Sequence, residues 1–278
     1  MQSSKSSLMW LVTVLAMMLP ALGYSLPWYG GTFSADIIMK SPKDPSMTAQ
    51  GTLHVGQHQV RAEGTHGTQS KGVIIDFNKK KIWTILPNEK QFHKGLGNAP
   101  MPPRPDAEYL PSDPDSPCAT GGEKIRCKKL ASDKIDGMAV DQWQITLSNN
   151  NRSQQMMLWI SPQRRVILRQ QTENGPTMER RWGGYETLNG RKSEKWTLVQ
   201  SFKDKSLTMT KWIDAKLYVP VRVMDEKGNI TAELTNILEG SQPDHLFDIP
   251  SNYQEIAPPK PRQPKQQQHD SQQGQQFH

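Results

Sequence analysis

An internal repeat constrains this chain more than any other feature. Displacing the sequence by 53 residues aligns Ile135–Arg181 with Leu188–Leu234 without a gap, and eleven aligned pairs are identical, against about three expected by chance. They include Gly137/Gly190, Trp143/Trp196, Met156/Met209, Trp159/Trp212, Ile160/Ile213, Arg169/Arg222, Glu173/Glu226 and Gly175/Gly228. Each copy, about 135–181 and about 188–234, begins with an Asp-Gly or Asn-Gly turn and enters a strand with an inward tryptophan. A second strand ends in Trp-Ile, and a hairpin then closes on glycine. The turn glycines permit positive φ, and the indoles fill wide gaps on a curved sheet. Two copies of about four strands each continue a β architecture rather than found a new domain.

The first half supplies the rest of that architecture. From Phe33 to Pro87 apolar and polar residues alternate with the period of half-buried strands. Phe33, Ala35, Ile37 and Met39 share one face, with Ser34, Asp36 and Lys40 on the other. Met47, Ala49, Leu53 and Val55 continue the pattern to a turn at Gly56-Gln57. Val60, Ala62 and Gly64 follow, then Val73, Ile75 and Phe77, a turn at Asn78-Lys79-Lys80, and Ile82 to Leu86. Five strands joined by short turns make an antiparallel meander with one face toward an apolar interior. The expected fold is mainly β: a single long curved antiparallel sheet.

Between the halves, residues 95–132 contain seven prolines and read as a loop, because no strand survives that density. Cys118 and Cys127 flank Gly121-Gly122 within it. In an exported chain so close a pair is expected to be a disulfide, since a metal site would want more ligands than these. Export is written into the first residues. Lys5 precedes the uncharged run Leu8–Leu22, and Ala21-Leu22-Gly23 offers small residues to a signal peptidase. Fifteen uncharged residues broken by Pro20 fall short of the roughly 20 that span a bilayer. Residues 1–24 therefore read as a signal peptide, 25–256 as the mature β domain and 257–278, rich in Gln and Pro, as a disordered tail.

Losing Lys5 leaves 33 basic and 27 acidic residues, a mild excess that suits an anionic envelope surface better than nucleic acid. No catalytic motif appears: the chain has no G-x-S-x-G, H-E-x-x-H, P-loop or dinucleotide fingerprint. His54, His58 and His66 straddle a turn and read as exposed polar residues rather than metal ligands. Met156-Met157 reads as core, and Asp204, Asp214 and Asp225 as turn residues. Neither an enzyme nor a cofactor is expected. A long sheet with one apolar face must cover it with a helix, a loop or a guest, and helical signal is scarce after the export segment. Phe33, Ile37, Leu53, Val73, Ile75, Phe77, Trp143 and Trp196 are the candidate lining for a hydrophobic ligand, Trp143 and Trp196 both facing the concave side. A closed barrel or two-sheet sandwich with a self-filled core is the competing outcome.

Several short motifs resemble the LolA/LolB-type lipoprotein-carrier superfamily. Lys211–Arg222 (KWIDAKLYVPVR) is similar to its W-[IV]-D strand pair, and Leu246-Phe247-Asp248-Ile249-Pro250 with Tyr253 to its terminal closure. Met47–Leu53 followed by Val60–Glu63 resembles its opening hairpin, and Trp83–Pro87 its next strand. Where carriers have an Arg-Pro pair at the opening junction, this chain has Gly56-Gln57-His58. The resemblance covers most of 33–256 and points to an uncharacterised branch. It implies a half-open antiparallel barrel in a Gram-negative periplasm with a cavity for acyl chains. A carrier role in outer-membrane or envelope biogenesis is then expected, with an envelope protein as partner. The superfamily also contains envelope-stress sensing domains, which implies the alternative of a regulatory interaction module.

Overall fold

The computed structural model describes residues 29–41, 48–95, 110–114, 116–149 and 152–258. The segment read as a signal peptide (1–24), part of the Pro-rich stretch (96–109) and all but two residues of the tail lie outside them. Among the described residues, no helix is long and apolar enough to cross a membrane.

The described residues form sixteen strands in one sheet. The first half gives β1 (Phe33–Lys40), β2 (Thr48–Val55), β3 (Gln59–His66), β4 (Gln69–Asp76), β5 (Lys81–Leu86) and β6 (Gln91–Lys94). The second gives β7 (Ile125–Ile135), β8 (Met138–Asn149), β9 (Arg152–Ser161), β10 (Val166–Thr172) and β11 (Thr177–Leu188). These are followed by β12 (Arg191–Phe202), β13 (Lys205–Asp214), β14 (Pro220–Asp225), β15 (Ile230–Glu239) and the short β16 (Gln254–Glu255). Successive strands pair as antiparallel neighbours in two meanders, and β1 joins the meanders by pairing with β15. The sheet stays open, with β7 at one edge and β16 at the other. It is not purely antiparallel, because β16 lies parallel to β6.

The sequence repeat and the strand boundaries share one offset. β8 and β12, and likewise β9 and β13, begin and end 53 residues apart. The turns that open the copies match as well: Asp136 and Gly137 have φ of 49° and 76°, Asn189 and Gly190 of 50° and 76°. Positive φ at both central positions is what a tight two-residue hairpin demands, which explains Asp/Asn followed by Gly.

Two strands depart from the sequence expectation. β6 is a sixth strand in the first meander, and β7 occupies 125–135, so the stretch read as loop ends before Ile125 rather than at Ser132. β7 carries Arg126, Lys128, Lys129 and Lys134 and is largely exposed, so an apolar period-2 pattern is missing although β7 pairs with β8 from Ile125 to Ile135, with one register shift between Lys129 and Ala131. Ahead of it, Cys118 and Cys127 form the expected disulfide, with Cα atoms 5.6 Å apart. The bridge pins the short helical turn Pro117–Thr120, capped by the Ser116 hydroxyl, onto β7.

The main core lies on one face of the first meander and extends onto β14 and β15. Phe33, Val55, Val60, Ala62, Ile75, Leu217, Val219 and Leu234 are its most enclosed members. The opposite face of the same meander is also covered. Ile74 and Ile85, both fully buried, pack against Phe247, with Leu246, Ile249 and Tyr253 around them. The C-terminal segment thus straps the back of β4 and β5, held by Arg61 Nη1 donating to the Leu246 carbonyl at 2.6 Å.

Candidate functional site

Cross-strand partners share a face of the sheet, so the ladders show which side chains lie together. Ala49, Met39, Ala232, Val223, Lys211, Trp196 and Trp182 form one continuous row across seven strands. On β1 and β15 it lies on the face of Phe33, Ile37 and Leu234, whereas on β13 the core member Trp212 points to the other face from Lys211. A parallel row places Arg180, Leu198, Met209 and Asp225 together on the Lys211 side.

Six of the eight candidate lining residues come together. Phe33, Ile37, Leu53, Val73, Ile75 and Phe77 all belong to the main core, with 0–6% of their surface exposed. They pack on one another and form the floor of the face, beneath any surface a guest would touch. The two tryptophans are placed differently. Trp143 pairs with Leu158, Leu158 with Gln170, Gln170 with Met178 and Met178 with Gln200. Gln200 and Trp196 have the same parity on β12, so both indoles lie on one face of the sheet, in separate clusters. Trp143 is half-buried beside Ile145, Leu158 and the Cys118–Cys127 bridge. Trp196 is buried with Val140, Val166 and Leu168. Its indole N–H donates to Glu194 at 3.0 Å, and its ring meets Trp182 edge-on at 4.9 Å. Arg164 closes this aromatic group, 4.1 Å above the Trp182 ring and 3.2 Å from Glu194.

Met39, Ile82, Leu188, Met224 and Ile237 are half-buried and pack against the main core. Leu188 and Ile237, above Val221 and Leu234, line an open cleft of about 540 Å³ with Asn189, Arg191 and Glu233 at its polar rim. That volume is within the range of sites for small apolar ligands. Period-2 alternation marked the face but could not rank its members by depth. Leu188 lies at a repeat boundary and Ile237 beside the irregular Asn236, whose φ is 50°. A second cleft of about 360 Å³ lies between the Gly56–Lys79 turns and Ser241–Phe247 and is mainly polar. Within it, burial would raise the Asp76 carboxyl. Bonds from the Lys79 N–H at 2.8 Å and Gln59 Nε2 at 3.0 Å outweigh that and hold it below its ordinary value.

The wall of the larger cleft is fixed by an ionic network. Asp214, only 1% exposed, accepts from the backbone N–H of Leu217 at 2.7 Å and of Lys216 at 2.9 Å, and it pairs with Arg191. Arg191 reaches on to Glu239 at 2.9 Å, and Lys216 pairs with Glu239 too. Burial would raise the Asp214 pKa, but the Arg191 contact and the two N–H donors lower it overall. The sequence marked Asp214 as a turn residue, which it is. Its depth depends on Arg191, 23 residues away, which is itself held by Glu239 a further 48 residues along the chain, and no local pattern links the three. Among the described residues, no group of three His, Cys, Asp or Glu side chains is placed to hold a metal. His54 instead meets Gln242 at 3.0 Å.

Fold and site together define an open, curved β-sheet scaffold whose inner face is apolar and partly uncovered. The sequence matches no protein-family model, and no curated protein matches it. Similar solved structures include an uncharacterized conserved protein from Thermus thermophilus, with 12% identity over 82% of this chain and 91% of that one and a TM-score of 0.40. A domain assigned provisionally as an outer membrane lipoprotein-sorting protein from Vibrio parahaemolyticus shares 12% identity over 79% of this chain and 90% of its own (TM-score 0.31). A DUF1329 family protein from Desulfovibrio piger shares 10% identity over the same two fractions (TM-score 0.34).

Proposed function

We propose that this protein is a periplasmic, non-enzymatic binding protein that holds a lipid or another long apolar ligand, serving as a carrier in envelope biogenesis. The observation that carries the reading is the half-buried apolar rim, Leu188 and Ile237 above all, bordering an open cleft on top of a filled core. A rim of this kind is apolar surface with no described element covering it. Each methylene buried there contributes about 0.8 kcal/mol, so roughly ten give useful affinity after the cost of association. The export signal at 1–24 supports the location. A second reading, a sensing or protein-interaction module with a self-filled core, draws on the 0–6% exposure of the six core candidates.

Titration of delipidated mature protein with a fluorescent fatty-acid analogue separates the two. Saturable binding that Ile237→Glu weakens about tenfold or more, with near-UV circular dichroism unchanged, supports the carrier. Absence of saturable binding by wild type, with native mass spectrometry finding the purified protein empty, refutes it and leaves the interaction module.

A further inference from the structure

The hairpin that joins β12 to β13 ends in apolar side chains turned to solvent. Phe202 is 46% and Leu207 49% exposed. Phe202 pairs with Lys205, and Leu207 has the parity of Lys205 on β13, so the three share one face. Ser201 and Ser206 occupy the other, their hydroxyls 3.3 Å apart. The tip projects from the sheet, because β13 pairs with β14 only from Met209 onward and β12 with β11 only as far as Ser201. At the turn the Lys203 ammonium lies 5.4 Å from the Phe202 ring. Asp204 stands between Lys203 and Lys205, which leaves the tip one net positive charge.

The internal repeat shows that such a hairpin does not need these apolar residues. Fifty-three positions earlier β8 and β9 build the same projection, with β9 pairing to β10 only from Met156 onward. There the counterparts of Phe202 and Leu207 are Asn149 and Gln154, both exposed. Leu147, 38% exposed and of the same parity as Trp143, adds a smaller apolar contact at the same end of the sheet.

We infer that the β12–β13 tip is a docking finger for an anionic lipid surface. Phe202 and Leu207 enter the boundary between headgroups and acyl chains, while Lys203 and Lys205 stay among the lipid phosphates. Two half-exposed side chains on a narrow tip fall well short of the roughly 800 Å² per partner that a stable protein interface buries. Entry into a bilayer needs no complementary surface. The finger lies at the opposite end of β12 from Arg191 and the Leu188–Ile237 cleft, so the inference goes beyond the ligand-binding reading and does not rest on it.

The test is flotation of mature protein with vesicles of phosphatidylcholine alone or mixed equally with phosphatidylglycerol. Wild type is expected to favour the anionic vesicles by about fivefold, the effect of one net charge near such a surface. Phe202→Asn with Leu207→Gln, the residues of the first copy, should weaken vesicle binding about tenfold or more with an unchanged melting temperature. The same variant should titrate a fluorescent fatty-acid analogue as wild type does, and Lys203→Ser with Lys205→Ser should remove the preference for phosphatidylglycerol. Absence of flotation by wild type overturns the inference and leaves the cleft reading standing. Flotation that survives the Phe202/Leu207 change overturns it in favour of the basic β7 edge. A concentration-dependent dimer abolished by that change, with no vesicle binding, overturns it and assigns the tip to a second copy of this chain. Equal loss of vesicle and fatty-acid binding in the variant also overturns it, since the tip would then act through the cleft.

Discussion

Replacing Asp214 by alanine should remove a large share of the fold's stability, and the loss can be worked from its contacts. The carboxylate is 1% exposed and accepts two backbone N–H groups, from Leu217 at 2.7 Å and Lys216 at 2.9 Å. Those donors are enclosed by the turn that carries the fully buried Leu217 and the nearly buried Val219 into the main core. Leaving a buried donor unsatisfied costs about 1–3 kcal/mol, and two of them cost about 2–6 kcal/mol. Arg191 keeps Glu239, so its own loss is partial. The total for Asp214→Ala is about 4 kcal/mol, comparable to the whole stability of a marginal domain. Asp214→Asn keeps one oxygen for both N–H groups and loses mainly the charge on Arg191, about 2 kcal/mol. Urea unfolding followed by tryptophan fluorescence measures both, with the midpoint falling and the slope unchanged. The pH dependence has a definite sign. The folded-state pKa is lowered, so the carboxylate's contribution is complete above its unfolded value of about 4 and is lost as pH falls through the lower folded value. The gap between wild type and Asp214→Asn must therefore narrow in acid. A loss below about 1 kcal/mol for Asp214→Ala, or a gap constant from about pH 7 to about pH 3, refutes the reasoning.

Three further outcomes follow from the packing. Reducing Cys118–Cys127, which closes a loop of sequence separation 9, should lower stability by about 2.5 kcal/mol, read as a shift in urea midpoint with and without reductant. Phe247→Ala should cost about 3 kcal/mol and release the C-terminal strap, seen as faster hydrogen exchange at the Gln254 and Ile256 amides that bond to Lys90 and Phe92. Gly51→Ala should cost at least about 3 kcal/mol, because a Cβ there would stand 1.7 Å from the Glu63 carbonyl oxygen and force β2 from β3; a soluble variant with an unchanged melting temperature would contradict the packing.

What could be read ahead of the structure depended on whether one face of a strand was solvated. β1 to β3 alternate cleanly, and the turn at Gly56-Gln57 falls between Val55 and Gln59 as expected. The run Val73-Ile74-Ile75 breaks the alternation, and the structure explains it: Val73 and Ile75 enter the main core while Ile74 is buried on the back by Phe247. A continuous apolar run is the signature of a strand covered on both faces, and here the cover comes from the far end of the chain, beyond the reach of local pattern. β7 was hidden for the opposite reason, since an edge strand exposed on most of its length has no apolar stripe to betray it. The repeat located Trp143 and Trp196 at equivalent strand positions, yet one is half-buried under the disulfide loop and the other enclosed by Trp182 and Arg164. Identity between copies specifies the pleat; burial is decided by what each copy meets outside itself.

The pairing of β1 with β15 has a consequence for the order in which the molecule can be made. Thr32 Oγ1 donates to the Gly240 carbonyl at 2.8 Å across 208 positions of sequence, and the ladder beside it links Phe33 to Glu239 and Met39 to Ala232. Closing so long a separation is entropically expensive and slow. A chain delivered from its N-terminus therefore presents β1 with one edge open until almost all of the molecule has emerged. The first meander can assemble early from neighbouring hairpins, but its outermost strand waits for the last long strand, and truncation anywhere before Glu239 leaves that edge without its full complement of partners.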